Sequence, residues 1–127
     1  MKSQASIEFI AFVSILLIIA IIVVSSWWPI TNEAQGQKVY TQARDTLTDV
    51  TFHIDTAQKI GDGYIGRFFV PENLLGVDYQ VDIERHFVTF TWDNKTTAQP
   101  ILAENVTGSV QKGWNTIKNI KGVVYVN

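Results

Sequence analysis

The residues with the most reactive side chains in this sequence are a few carboxylates and two histidines. Asp78 and Asp82 lie four residues apart, and two nearby carboxylates can share general acid and base chemistry. Apolar residues alternate with them, however, which predicts that both face solvent on a strand. His53 and His86 have no second ligand at metal-binding spacing. We therefore expect no catalytic residue, no metal site and no cofactor, and predict that the protein is not an enzyme.

Glu8 is the carboxylate in the least ordinary surrounding, because a long apolar run follows it directly. Carrying a carboxylate to the centre of a bilayer costs up to about 2.5–3.5 kcal/mol. A simple membrane anchor gains nothing from such a residue. From its charge alone, Glu8 is either an interfacial charge near lipid headgroups or a residue with a specific task.

Two N-x-S/T sequons form a second kind of candidate site. They begin at Asn94 and Asn105, and each has a threonine at the third position. Such asparagines accept N-linked glycans in secreted proteins. Asn94 also fits an unmodified polar turn. We expect glycosylation if the surrounding domain is secreted.

The composition limits the classes of partner and of stabilisation. The chain has 127 residues, enough for one modest domain and a membrane segment. Its net charge is -2 and its ten Lys and Arg residues are scattered, so we expect no nucleic-acid partner. It has no cysteine, which excludes disulfides and thiolate metal sites.

The run from Phe9 to Trp28 is apolar on every face of a helix. Its twenty residues would rise roughly 30 Å, which is the thickness of a bilayer core. Trp27 and Trp28 close the run, where aromatic residues favour the membrane interface. Lys2 precedes it and the next basic residue is Lys38, which favours an N-terminus on the inside.

A secretory signal peptide and a plain signal anchor are the alternatives for this segment. The apolar region of a signal peptide usually has about 7–15 residues and a small-residue cleavage site after it. Here the run is longer, and the residues at its end, Trp27–Trp28–Pro29, make a poor cleavage site. Composition alone does not separate a plain anchor from an anchor with a further task.

The residues around Glu8 resemble the archaeal class III signal peptide of type IV pilins, whose pattern is Q-x-S-x-E-x-x-x-L. Gln4, Ser6 and Glu8 match in register, and Phe12 stands in place of the leucine. The resemblance covers about twenty-five residues. It implies that a prepilin peptidase cleaves between Ser3 and Gln4, and that Glu8 becomes the fifth residue of the mature chain.

Cleavage at this point would place two opposite charges one helical turn apart. The new amine on Gln4 has a reference pKa of about 7.7–8.0 and is mostly cationic at neutral pH. Glu8 lies at i+4 from it, in an apolar surrounding where either group is costly alone. The amine can pair with Glu8 of its own chain or with that of a neighbour. Both alternatives remain open at this point.

The sequence after the apolar run predicts an amphipathic helix and then strands. Pro29 predicts a kink or a short break. An apolar stripe then predicts a helix that starts near Ile30 or Gln35 and ends at Ile60, before a Gly61–Gly63 stop. The stripe consists of Tyr40, Ala43, Leu47, Val50, Ile54 and Ala57.

Alternation and turn residues predict several short strands. Turns are expected at Glu84–His86 and at Asp93–Asn94, and Trp92 and Trp114 are expected to cover the sheet. The predicted strands are residues 64–70, 77–83, 87–92, 100–103, 106–110 and 122–126.

Together these elements predict an α+β fold. A long apolar N-terminal helix continues into an amphipathic helix that packs on a small, mainly antiparallel β-sheet. The predicted divisions are a leader at 1–3, a transmembrane or filament-core helix at 4–28, an amphipathic helix at 29–60 and an extracellular β domain at 61–127.

The resemblance implies a structural subunit of an extracellular type IV pilus-like filament used for adhesion. The expected partners are identical subunits, the membrane before assembly, the prepilin peptidase and the assembly machinery. The chain would be membrane-bound as a precursor and on the cell surface after assembly. The alternatives are a membrane-tethered binding module and a minor pilin or pseudopilin of a secretion or uptake machine.

Overall fold

The computed structural model describes the backbone of residues 2–127, and the side chains of all of these except 2, 3, 5 and 28–32. Met1, in the predicted leader, lies outside the described residues. Residues 2–127 form one α-helix and seven strands and have an α+β fold, as predicted. These elements are α1 (Lys2–Ile60), β1 (Ile65–Val70), β2 (Gln80–Glu84), β3 (Phe87–Trp92), β4 (Lys95–Pro100), β5 (Val106–Gly108), β6 (Gly113–Ile120) and β7 (Val123–Val126).

The chain divides into two compact units, one up to Gln37 and one from Lys38 to Asn127. The first unit contains the N-terminal part of α1. The helix assignment continues through position 29, so the short break predicted at Pro29 is not found. A proline removes a single backbone donor, and its helical neighbours keep theirs.

The second unit contains the amphipathic part of α1 and both sheets. Strands β1, β6, β7 and β5 form a four-stranded sheet in that order, in which only β5 and β7 pair in parallel. Strands β2, β3 and β4 form an antiparallel three-stranded sheet. The prediction of mainly antiparallel strands is therefore confirmed.

One face of α1 packs into the core of the second unit. Ala43, Leu47, Val50, Ile54 and Ala57 are buried, which confirms this part of the predicted stripe. Tyr40 is half exposed instead, and its ring lies 6.2 Å from that of Trp92. The core is completed by residues of both sheets, among them Phe68, Val70, Val88, Phe90, Trp92, Ile117, Val124 and Val126.

The end of α1 is fixed by a glycine turn and by a buried asparagine. The helix ends at Ile60 as predicted, and Gly61 and Gly63 both have a φ of 88°, which glycine adopts without strain. Asn119 of β6 donates from Nδ2 to the Ala57 carbonyl at 2.9 Å and accepts from the Gly122 amide at 3.0 Å. Through these two hydrogen bonds Asn119 links the end of α1 to the four-stranded sheet. Its buried amide nitrogen and oxygen both have a partner.

Three of the predicted strands are confirmed in place. The strands predicted at 64–70, 87–92 and 122–126 correspond to β1, β3 and β7, and both predicted turns are present. The strand predicted at 106–110 is shorter, and the one at 77–83 starts only at Gln80, because Val77 forms an isolated bridge with Leu74.

One strand prediction is wrong, and strands β4 and β6 were not predicted. Residues 101–103 are not a strand, because β4 pairs with β3 over Lys95–Pro100 and the chain then leaves the sheet. The Leu102 amide donates to Asp55 Oδ1 instead, at 2.7 Å. Strand β6, the longest of all, was not predicted.

Candidate membrane-spanning and assembly segment

The N-terminal part of α1 is apolar, exposed and long enough to cross a bilayer. Within the described residues, Ser6–Trp27 qualifies as a membrane span by length and composition, and none of it is buried in the structure. Its large side chains are exposed all around the helix axis. In water such a surface is unfavourable, so this segment requires lipid or protein to cover it.

The serines of this segment add little polarity to its surface. The hydroxyl of Ser14 donates to the Ile10 carbonyl at 2.8 Å. Those of Ser25 and Ser26 donate to the Ile22 carbonyl at 3.0 Å and 2.8 Å. Each hydroxyl is thereby satisfied within the helix, which lowers the cost of placing it in an apolar medium.

Small residues open one side of the helix. Ala20 and Ser25 lie among Leu17, Ile21 and Val24, and together these five line a shallow apolar groove of about 370 Å³. A second helix can approach closely over small residues of this kind. The groove therefore fits an apolar side chain of a neighbouring helix as well as a lipid chain.

Gln4 and Glu8 lie at the N-terminal end of this segment, one helical turn apart. Both side chains are exposed, and residues 2–8 are already helical. Ser3 lies in the same helical turn, although its side chain is outside the described set. Glu8 is the only charged residue between Lys2 and Glu33. The segment thus places one carboxylate at the edge of a continuous apolar surface.

The two sequon asparagines lie on the surface of the second unit. Asn94 is exposed in the β3–β4 turn with a φ of 60°, a conformation that asparagine tolerates. Asn105 is exposed just before β5, and its carbonyl accepts from the Val124 amide at 3.0 Å. Both side chains are free of the core, so glycosylation at either site stays a prediction that the fold permits.

The carboxylates and histidines considered for catalysis do not converge. Asp78 and Asp82 are exposed, and Asp78 forms an ion pair with Lys112. The Lys112 ammonium, through this hydrogen bond and its charge, lowers the pKa of Asp78. Burial, with a smaller effect of the Asp78 charge, raises the pKa of Tyr79 to about 12. Near neutral pH, Asp78 is therefore ionised and the Tyr79 hydroxyl is protonated.

The histidines lie in different elements of the fold. His53 is partly buried and stacks on Phe68 at a ring distance of 5.4 Å, and its Nε2 lies 3.8 Å from Asp49 Oδ1. His86 is exposed in the β2–β3 turn. Among the side chains that the structure describes, no three His, Asp or Glu residues are grouped so that they could hold a metal ion.

Sequence reasoning missed one surface of the second unit. Trp92 is buried as expected, but Trp114 is 65% exposed on the outer side of the four-stranded sheet. Phe69 contacts it edge-on at 5.4 Å, and Arg67 lies over its ring at 5.4 Å. The alternation of Ile65, Arg67 and Phe69 with core residues in β1 was the available signal.

Comparison with known proteins adds no relative from which a function could be transferred: no protein-family model, curated protein or solved structure matches this chain.

Proposed function

We propose that the chain is a structural subunit of an archaeal type IV pilus-like filament used for adhesion. The observation that carries the proposal is the exposed apolar segment Ser6–Trp27 with a single carboxylate, Glu8, at its N-terminal end. In the precursor, lipid covers this segment. In the filament, the same segments of neighbouring subunits cover it.

The transfer from lipid to filament is favourable because both surroundings are apolar. The segment exchanges lipid for the apolar helices of other subunits, so little water has to be removed from either surface. Packing between the helices then adds contacts. The groove around Ala20 and Ser25 supports such packing. The second unit has its own core and stays in water on the outside of the filament.

Glu8 sets the register of assembly in this proposal. After cleavage between Ser3 and Gln4, the cationic amine of an incoming subunit pairs with Glu8 of a subunit already in place. Breaking one half of such a buried pair costs about 3–5 kcal/mol. This is enough to shift a reversible addition step more than about a hundredfold.

The test is Glu8→Gln in the native host, with Glu33→Gln as the matched control. Glu33 is exposed on the same helix but lies beyond the apolar segment. We expect Glu8→Gln to reach the membrane and lose its leader normally, since removing a charge favours insertion. Filament yield in electron micrographs of sheared material should fall sharply for Glu8→Gln only, with an immunoblot of membranes as the loading control.

A membrane-tethered binding module, including a minor pilin of a secretion or uptake machine, is the second candidate. The exposed aromatic side chains on the outer sheet face favour it, because such residues are enriched at binding surfaces. Normal filaments from Glu8→Gln would make this candidate the better one, and Glu8 would then be an interfacial charge.

A further inference from the structure

The outer side of the four-stranded sheet combines aromatic and basic side chains. We call this the basic aromatic face, and it consists of Arg67 and Phe69 of β1, Trp114 and Lys118 of β6, and Tyr125 of β7. The strand register joins these residues, since Phe69 lies opposite Trp114 and Lys118 lies opposite Tyr125. All five are exposed, and along β6 the partly buried Thr116, opposite Arg67, lies between Trp114 and Lys118.

This face is basic as well as aromatic. Among the described outward positions of β1, β6 and β7, the charged residues are Arg67 and Lys118, and none is acidic. The whole chain, in contrast, has a net charge of -2. Trp, Tyr and Arg are the residues that dominate binding energy at protein interfaces. The face therefore suits a partner surface that is acidic and carries an apolar side chain.

The exposed side of α1 in the same unit has those two properties. We call it the acidic stripe, and it consists of Asp45, Asp49 and Phe52. Their spacing of four and three residues places them on one side of the helix. Phe52 is 63% exposed, which is unusual for an aromatic residue on a helix whose other face is buried. Along this side of the helix, Lys38 and Lys59 lie about 10 Å beyond the ends of the stripe. At its borders, Arg44 is exposed next to Asp45, and His53 Nε2 lies 3.8 Å from Asp49 Oδ1.

The two surfaces of one chain lie on different sides of the second unit. The buried side of α1 packs on the inner side of the four-stranded sheet, as the His53–Phe68 stack and the Asn119–Ala57 hydrogen bond demonstrate. The acidic stripe lies on the far side of the helix, and the basic aromatic face lies on the far side of the sheet. One chain therefore cannot join them, but two chains can.

We propose that the basic aromatic face of one copy binds the acidic stripe of the next copy. This contact uses two different patches, so it is heterologous, and repeated addition extends the assembly instead of closing a dimer. Trp114 and Phe52 supply the apolar burial, and Arg67 and Lys118 meet Asp45 and Asp49. The proposal rests on the filament function and deepens it, because it assigns the contact between subunits outside the apolar bundle.

Cysteine cross-linking of the full chain tests this contact directly, since the native sequence has no cysteine. Thr116→Cys lies on the basic aromatic face, opposite Arg67, and Thr48→Cys lies beside the acidic stripe. The two single variants, carrying different tags, are expressed together in the host and oxidised. We expect a disulfide-linked heterodimer from the mixture, and at least about tenfold less dimer from either variant alone.

Charge reversal measures whether the acidic and basic residues guide the contact. Arg67→Glu and Asp45→Arg should each lower the heterodimer yield about tenfold or more, because like charges then face each other. Combining the two should restore most of the yield. Lys95→Glu and Asp82→Lys make the same charge changes at exposed positions outside both surfaces, and they should leave the yield unchanged.

The outcomes separate this contact from the filament function. Filaments of the unmodified chain without any heterodimer would overturn the proposed contact and leave the filament function standing. A Thr116→Cys homodimer would also overturn it, because the contact would then be symmetric. Absence of cross-links together with protection of Trp114 by added lipid vesicles or polysaccharide would reassign the face to a non-protein ligand. A heterodimer in a strain without filaments would support the contact while the filament function failed.

Discussion

The apolar side chains of α1 are exposed in the first unit of this chain and buried in the second, although one helix contributes to both units. In the Ser6–Trp27 segment none of the apolar surface is buried, whereas Ala43, Leu47 and Val50 of the same helix are almost wholly enclosed. The second part has a polar face and a core to pack on, and the first has neither. Within the described residues, the apolar surface of the first part stays exposed, and such a surface is unfavourable in water unless lipid or protein covers it.

The largest expected effect comes from truncating the same side chain in each unit. Phe90→Ala removes a fully buried ring and should lower the free energy of unfolding of the second unit by about 3–5 kcal/mol. Phe12→Ala removes a ring that is 62% exposed, and it should leave that free energy unchanged. Urea denaturation of detergent-solubilised protein, followed by far-UV circular dichroism and intrinsic tryptophan fluorescence, measures both. Equal destabilisation by the two variants would mean that the segments share one core.

A charge in the middle of the apolar segment should affect the membrane and not the fold. Ile18→Arg places a cation near the bilayer centre and should disfavour insertion by about 2.5–3.5 kcal/mol. Ile60→Arg, at the exposed end of the helix, is the matched control and should have no such effect. Carbonate extraction of membranes, with an immunoblot of the pellet and the supernatant, measures how much of each variant stays in the membrane. Full retention of Ile18→Arg would argue against a spanning segment.

A smaller effect is expected from the buried amide that joins helix and sheet. Asn119→Ala leaves the Gly122 amide without its partner and removes one of two donors to the Ala57 carbonyl, which keeps the Gly61 amide at 3.2 Å. The expected cost is about 1–3 kcal/mol. Gln80→Ala shortens an exposed amide and should change the unfolding free energy by less than about 0.5 kcal/mol. Urea titrations compare the two variants. A neutral Asn119→Ala would show that the link contributes nothing to stability.

The smallest structural effect is expected from the glycans. Asn94→Gln and Asn105→Gln each replace an exposed side chain, so neither should change the free energy of unfolding by more than about 1 kcal/mol. The effect is larger for Asn94→Gln, because asparagine tolerates the φ of 60° better than glutamine does. If the second unit is extracellular, at least one variant should lose mass equal to a glycan. Glycopeptide mass spectrometry of material from the host provides the comparison. Unmodified peptides at both positions would remove this support and leave the filament proposal in place.

The sequence predicted those elements in which apolar residues recur at a single period, helical or strand-like, from end to end. The stripe from Ala43 to Ala57 and the alternation in β3 agree with the helical and strand periods, and both were found. Strand β6 was missed because two of its inward residues are Asn115 and Asn119, which break the apolar alternation. Their amides are satisfied by backbone groups such as the Gln111 and Ala57 carbonyls, which only the fold brings near.

The candidate sites also divide into those that the sequence revealed and one that it did not. Glu8 and the apolar segment were recognisable because their chemistry is local in sequence. The basic aromatic face was not, because it joins β1 to β6 across more than forty residues and depends on a strand that the pattern concealed.

The most direct test of the filament account is the N-terminus of the protein recovered from sheared surface filaments. Mass spectrometry of that material should identify a mature chain that begins at Gln4, with Glu8 as its fifth residue. This result would demonstrate that the chain found in filaments has lost its leader and carries the apolar segment at its new N-terminus. A chain that begins at Met1 or beyond Ser6, or a sheared fraction that lacks the chain altogether, would contradict the account.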